Sequence, residues 1–346
     1  MKEARFYTKI ENQSVQCFLC AHRCRINEGK VGFCGVRQNR SGVLYSLVYG
    51  QPIAMHVDPI EKKPLYHCLP GSHSFSVATV GCNFRCGFCQ NWEISQVKLA
   101  GANALADTMI APEKIVEAAC KNHCKSISYT YTEPTIFLEY ALDIAQKAKE
   151  KGLLNILVTN GYITGEALEI AAPFIDAANV DLKFFRDEQY RKICAGSLDP
   201  VLDTIRRMKQ RGIWVEVTTL VVPGENDSDE ELSSLAQFMA SVDKHMPWHI
   251  SRFFPQYEFG DRQITSEARL HRAQELGIQA GLTYIYVGNI SGLGSDTYCH
   301  ACHKQLIHRE GFTVVSNAIQ GKQCSFCQSE IPGIWVAGSN NHSGKQ

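Results

Sequence analysis

Three features of this 346-residue chain predict an α/β fold in which six or seven βα units form one barrel or partial barrel, with a small cysteine-rich metal-binding module at each end. Short β-branched runs alternate with helical patterns from about residue 74 to residue 296, the signature of a parallel sheet. Polar or reactive residues recur where those runs end. Eleven of the fifteen cysteines fall into three tight groups, one inside the alternating region and one on each side of it.

Residues 1–45 carry Cys17, Cys20, Cys24 and Cys34 without βα periodicity and are expected to form an N-terminal four-cysteine metal module. Residues 46–73, with the Pro-rich stretch HVDPIEKKPLYHCLPG, read as a linker or extension into the barrel core of residues 74–296. In that core seven runs read as strands, at 74–81, 126–131, 155–160, 178–182, 213–222, 249–254 and 284–289. Helices are expected at 112–122, at 135–152 and 199–212 with Gly152 and Gly212 as stops, at 228–242, and at 266–277 with Gly277 as its stop. Residues 297–346 read as a zinc-ribbon-like module followed by a polar tail, GSNNHSGKQ, expected to fray. A barrel of this kind gathers its reactive groups at the C-terminal ends of its strands, where Cys82, Glu133, Asn160, Lys183 and Glu225 all stand.

Thirty-five Lys plus Arg offset thirty-five Asp plus Glu, so no whole-molecule field would collect nucleic acid or an anionic membrane. Hydrophobic residues at 45% and charged residues at 20% exclude a disordered or fibrous chain. The N-terminus has no apolar signal region, and no apolar run reaches the length of about eighteen residues that a membrane span needs. A cytoplasmic protein is expected. There, grouped cysteines point to metals rather than disulfides. Cys68, Cys120, Cys124 and Cys194 stand alone and read as core or surface thiols.

The middle group, Cys82, Cys86 and Cys89, spaced C-x3-C-x2-C, lies on the loop leaving the first core strand. Three thiolates leave a structural zinc site one ligand short, and the loop offers no further His or Cys. A cubane iron–sulfur cluster on three cysteines keeps one iron open to a substrate. The C-terminal group, Cys299, Cys302, Cys324 and Cys327, is C-x2-C-x21-C-x2-C, paired knuckles that suit structural zinc. The N-terminal group, C-x2-C-x3-C-x9-C, serves either zinc or an auxiliary iron–sulfur cluster, with ligand type favouring zinc.

The middle motif, with Phe88 just before its third cysteine, resembles that of the radical S-adenosylmethionine (SAM) enzymes. The resemblance implies a radical SAM partial (β/α)6-type TIM barrel. It also implies a [4Fe-4S] cluster whose open iron binds SAM, and one-electron cleavage of SAM to methionine and a 5′-deoxyadenosyl radical that abstracts hydrogen. Further segments are similar to the pyruvate formate-lyase activating enzyme subgroup. TYTEP at 130–134 places Glu133 at the SAM amino group, with Tyr131 and Thr132 where that subgroup has two glycines. VTNGY at 158–162 places Asn160 on the ribose side, and DLK places Asp181 and Lys183 beside the SAM carboxylate, on one face of a strand. VVPGEND at 221–227 and RFFPQYEFG at 252–260 also correspond, with Tyr257 in place of a histidine. His249 on the preceding strand reads as satisfied structure.

Residues 17–39, HVDPIEKKPLYHCLPGS and YVGN at 286–289 resemble the AmmeMemoRadiSam system radical SAM enzyme over nearly the whole chain. That resemblance implies a three-component system with a Memo-like protein and an AMMECR-type protein. A flavodoxin- or ferredoxin-like one-electron donor and a small-molecule or protein substrate are expected beside them. A glycyl radical enzyme activating enzyme is the enzymatic alternative. A metal-stapled nucleic-acid adaptor is the non-enzymatic one, since residues 1–45 hold eight Lys or Arg against three Glu. From Cys299 onward Lys304, Arg309, Lys322 and Lys345 face Glu310 and Glu330 without a basic, aromatic-lined groove, which argues against nucleic acid.

Overall fold

The computed structural model describes residues 1–97, 109–290 and 294–335. The tail expected to fray lies outside the described residues. Eight strands form one sheet in which spatial order follows chain order: β1 (Ala54–Pro59), β2 (His73–Ala78), β3 (Ser126–Tyr129), β4 (Leu154–Thr159), β5 (Ala177–Asp181), β6 (Trp214–Val221), β7 (Trp248–Arg252) and β8 (Ile285–Gly288). The pair β1–β2 is antiparallel, with Ala54 opposite Ala78. Every later pair is parallel. Six crossover helices connect the parallel strands: α1 (Pro112–Lys121), α2 (Leu138–Glu150), α3 (Gly165–Ala171), α4 (Leu198–Gln210), α5 (Asp229–Val242) and α6 (Glu267–Gln279). The architecture is the α/β partial barrel expected of the sequence, six strand–helix units closed by a seventh parallel strand.

Helices covering the sheet explain why β3 is buried at all four positions and β4 at five of six. The helices start where their caps dictate. The Ser228, Ser266 and Thr164 hydroxyls accept from the backbone N–H groups of Glu231, Arg269 and Ala167, each at 3.2 Å. Gly152 and Gly212 end α2 and α4 with φ of 71° and 76°, a conformation open to glycine without strain. Gly277 does not end its helix. It sits inside α6, where a Cβ would come within 2.6 Å of Ile285 Cδ1 and 3.0 Å of the Trp248 ring, so it is there for close packing of helix on sheet.

Two elements were not legible in the sequence. β1 lies in the extension 46–73 and exposes three consecutive residues, Met55 to Val57, so it lacks strand alternation. α3 is only seven residues long. The N-terminal module consists of two three-stranded antiparallel sheets and shares the barrel core, with Phe6, Leu19 and Val36 packed in one cluster with Ile136 and Leu182. It is pinned by Arg37, whose guanidinium meets the Glu139 carboxylate of α2 through two bonds of 2.6 and 3.0 Å, both side chains buried. Breaking such a pair on one side costs about 3–5 kcal/mol.

The C-terminal module has a small core of its own around Leu306, Ile307 and Ile331. Its main three-stranded sheet comprises Thr297–Tyr298, Gln305–Glu310 and Thr313–Asn317. The extension 46–73 clamps it down. Ile334 exchanges backbone hydrogen bonds of 2.7 Å with the His67 carbonyl and the Leu69 N–H, and Arg309 donates to the Tyr66 carbonyl at 2.8 Å. Among the described residues no helix is long and apolar enough to cross a membrane.

Candidate active site

Parallel strands deliver their C-terminal ends to one rim, and there a cavity of about 1200 Å³ opens. All three thiols of Cys82, Cys86 and Cys89 line it, together with Phe88, Glu133, Asn160, Asp181 and Lys183. The chain reaches this rim four residues after β2 for Cys82, four after β3 for Glu133, immediately after β4 for Asn160, and at the last residue of β5 for Asp181. Glu225 stands apart from the cavity. Its carboxylate meets Arg262 at 3.0 Å and the Gln189 amide at 3.1 Å, so its role is to tie loops together.

The thiol loop is held at several points. The Phe84 N–H donates to Cys82 Sγ at 3.3 Å, and Cys89 Sγ lies 3.2 Å from the Ser95 hydroxyl. Asn160 donates to Asn83 Oδ1 at 2.8 Å and so fixes the residue after Cys82. Burial pushes the Cys82 and Cys89 thiols up, because a thiolate in this environment has lost its water. Cys86 is raised first by its 3.4 Å contact with Cys194 and then by burial. Cys194, which reads as a solitary thiol, is therefore a neighbour of the Cys82–Cys89 loop, brought there by the helical segment Asp187–Cys194 that follows β5. A positive ion or cluster would reverse these shifts by stabilising thiolates.

Glu133 is buried and accepts from the Thr135 N–H and hydroxyl, the Thr159 hydroxyl and the Asn160 N–H, at 2.5 to 3.0 Å. Burial still raises its pKa against those donors. Lys183 Nζ lies 2.9 Å from Asp181 Oδ2 and 5.8 Å from the centre of the Phe88 ring. Burial would lower this amine, but the Asp181 carboxylate more than offsets it and keeps the ammonium charged. One face therefore presents a cation beside an anion, close to the thiols, as the strand spacing requires.

Other groups in or beside the cavity were given no site role by the sequence. Tyr131 adopts φ of 63°, where glycine is at ease and tyrosine is strained. Its hydroxyl reaches the Asp58 carboxylate, and Lys63 Nζ sits 4.4 Å over its ring. Lys63 also meets Asp58 at 2.7 Å, and burial pulls its pKa down to about 8. Asp58 is held well below the usual carboxylate range; burial would raise it, but bonds from Lys63, Tyr131, Lys62 and Ser76 prevail. His249 lines the cavity with Nε2 2.6 Å from the buried Glu216 carboxylate. The C-terminal module supplies His308, Arg309 and Phe312 to the same wall. Nothing in the sequence places a residue after 300 beside Cys82, because no spacing rule relates them. Tyr257, the departure from the histidine pattern, stacks on Trp92 at 5.0 Å and is not a wall residue.

In the C-terminal module Cys299 and Cys327 lie 3.6 Å apart and Cys302 and Cys324 3.7 Å apart, and all four sulfurs fall within 4.8 Å of one another. One ion can touch all four.

Comparison with known proteins adds the following. Residues 76–236 match the family model of the radical SAM superfamily. The chain is 42% identical over 335 residues to an uncharacterized protein of Methanocaldococcus jannaschii, MJ0808, covering 96% of this chain and 99% of that one. It is 24% identical to the pyruvate formate-lyase-activating enzyme of Clostridium pasteurianum, over 47% of this chain and 67% of that one. Among solved structures, a radical SAM methyltransferase from Sphaerobacter thermophilus shares the fold with a TM-score of 0.50 and 17% identity, over 68% of this chain and 71% of that chain.

Proposed function

The chain belongs to the radical SAM superfamily and is an enzyme of that type, and from this premise we propose that it is the radical SAM component of an AmmeMemoRadiSam system acting on a substrate held in the barrel cavity. The observation that carries the radical SAM chemistry is the shared cavity: three thiols with no fourth in their loop open onto the same space as Glu133, Asn160, Asp181 and Lys183, while the system assignment rests on the resemblance of residues 17–39 and 286–289. A [4Fe-4S] cluster on Cys82, Cys86 and Cys89 supplies, when bound, the electron that cleaves SAM to methionine and a hydrogen-abstracting 5′-deoxyadenosyl radical.

The protein's own residues orient and enclose. Lys183 offers an ammonium to the SAM carboxylate and Glu133 a carboxylate to its amino group, while Asn160 fixes the thiol loop from the ribose side. Phe88, buried against the Phe184 and Phe259 rings at 6.1 and 5.8 Å, keeps water from the cluster side. His308, Arg309 and Phe312 add polar and aromatic groups from the C-terminal module to the cavity wall. Cys299, Cys302, Cys324 and Cys327 hold structural zinc in this reading, since their spacing matches a tetrahedral four-thiolate site. A flavodoxin- or ferredoxin-like donor supplies the electron, and Memo-like and AMMECR-type proteins complete the system. Activation of a glycyl radical enzyme is the second reading, supported by the likeness to pyruvate formate-lyase-activating enzyme.

The test is anaerobic reconstitution with iron and sulfide, followed by dithionite and SAM. The native chain forms 5′-deoxyadenosine, and C82A/C86A/C89A forms none. Deoxyadenosine from the triple variant would overturn the assignment. Memo-like and AMMECR-type proteins should accelerate turnover, and an unchanged rate in their presence withdraws that partnership.

A further inference from the structure

The four N-terminal cysteines surround a small internal space lined also by Leu19, Ile26, Arg37 and Ile136. Zinc bound to four thiolates at about 2.3 Å draws the sulfurs to about 3.8 Å from one another. The C-terminal cysteines show that spacing, with pairs at 3.6 and 3.7 Å. Among the described residues, three or more ligating atoms gathered within 4.8 Å occur only there. Residues 17–34 are all described, and their sulfurs stand wider. So do those of Cys82, Cys86 and Cys89, the loop read as holding a cubane. Wide spacing is what a core of several metal ions requires, because each thiolate binds a different iron.

A second observation points into the same space. Arg37 is 1% exposed, its terminal nitrogens are taken by Glu139, and its Nε–H is buried without a partner. A buried donor left alone is costly, and cluster sulfur would accept from it. The Phe33 N–H already donates to Cys24 Sγ at 3.5 Å. We propose that Cys17, Cys20, Cys24 and Cys34 hold a second iron–sulfur cluster rather than zinc.

Its position suits electron delivery. A Cβ on Gly81 would lie 3.1 Å from the Cys34 carbonyl and 2.6 Å from Val36, so the N-terminal cysteine loop packs directly on the residue before Cys82. His22 bonds the Asn83 carbonyl at 2.7 Å, and Arg85 donates to the Phe33 carbonyl. One electron from a low-potential ferredoxin- or flavodoxin-like donor reduces this cluster. Passing it to the loop cluster re-oxidises the first and reduces the second, with no atom transferred. This relay rests on the reading of the Cys82 loop as the SAM-cleaving centre; the identity of the N-terminal cluster does not.

The full-length C82A/C86A/C89A variant, reconstituted anaerobically with ferrous iron and sulfide, should retain about four irons and four sulfides per chain and give a paramagnetic signal on dithionite reduction. C20A/C34A should lose about half of the iron of the native chain. Iron-free C82A/C86A/C89A carrying two zinc ions would overturn the proposal, and this arm decides even if C20A/C34A does not fold. In the fully reduced native chain the two signals should broaden and split each other. A spectrum equal to the sum of the two variants' spectra would overturn the relay. If the native chain holds both clusters yet makes no deoxyadenosine, the SAM reading fails and the second cluster stands.

Discussion

Replacing Lys183 by Met separates SAM binding from cluster assembly. The Lys183 side chain is 15% exposed, so solvent screens it little, and its ammonium stays charged because Asp181 stands 2.9 Å away. Met keeps most of the volume against Phe88 and removes only the charge. Loss of one charge-assisted contact to the SAM carboxylate costs about 1.5–3 kcal/mol. At about 1.4 kcal/mol per tenfold, the SAM dissociation constant rises about 10- to 150-fold. Asp181, whose side chain is 37% exposed, regains water when its partner leaves, so the fold and the cluster content should hold. Calorimetric titration of the reconstituted variant with SAM, beside an iron count, reads both quantities. An unchanged dissociation constant would refute the reasoning and leave the pair as a strand-end salt bridge.

Two further perturbations probe the frame around the site. His67 is buried and bonds Tyr286 at 2.6 Å and the Pro332 carbonyl at 2.7 Å, and burial lowers its pKa from 6.5 to about 4. Between those values the unfolded chain binds a proton that the native state refuses, so this residue's contribution to stability falls as pH drops from 6.5 towards 4, by about 3 kcal/mol in all. Urea unfolding should show a shallower pH slope for His67→Gln over that window, and equal slopes would count against it. Gly277→Ala forces a methyl to within 2.6 Å of Ile285 and 3.0 Å of Trp248. Overpacking of this kind costs about 1–3 kcal/mol, so thermal unfolding should come several degrees earlier. A stabilised variant would mean that Gly277 serves only its helix and not the packing.

The reactive loop could be read from the chain because its ligands lie within eight residues and their spacing reflects local chemistry. Glu133, Asn160 and Lys183 were legible because they stand at or just after β-branched runs, which in a parallel sheet end on one rim. Asp181 was singled out by the likeness of DLK to a known family, and Glu225, chosen by the same strand-end rule, stands off the cavity. The contact of Tyr131 with Asp58 and Lys63 was not legible. Their association depends on β1 pairing antiparallel with β2, and β1 exposes too many residues to announce itself. Cys194 looked solitary because 108 residues separate it from Cys86, and only the helical segment after β5 brings the sulfurs to 3.4 Å.

Periodicity and short-range spacing are properties of consecutive residues, so the sequence alone determined the strand and helix succession apart from β1 and α3, the barrel class and the three-thiol loop. Tertiary packing decided which distant groups share a wall: Arg309 and Phe312 with Cys82, His249 with Glu216, and Arg37 with the N-terminal thiols. It also decided how far apart each set of thiols stands, which is where the C-terminal and N-terminal groups part. Ligand count can be read along a chain, but ligand separation is set by the core against which each loop is pressed.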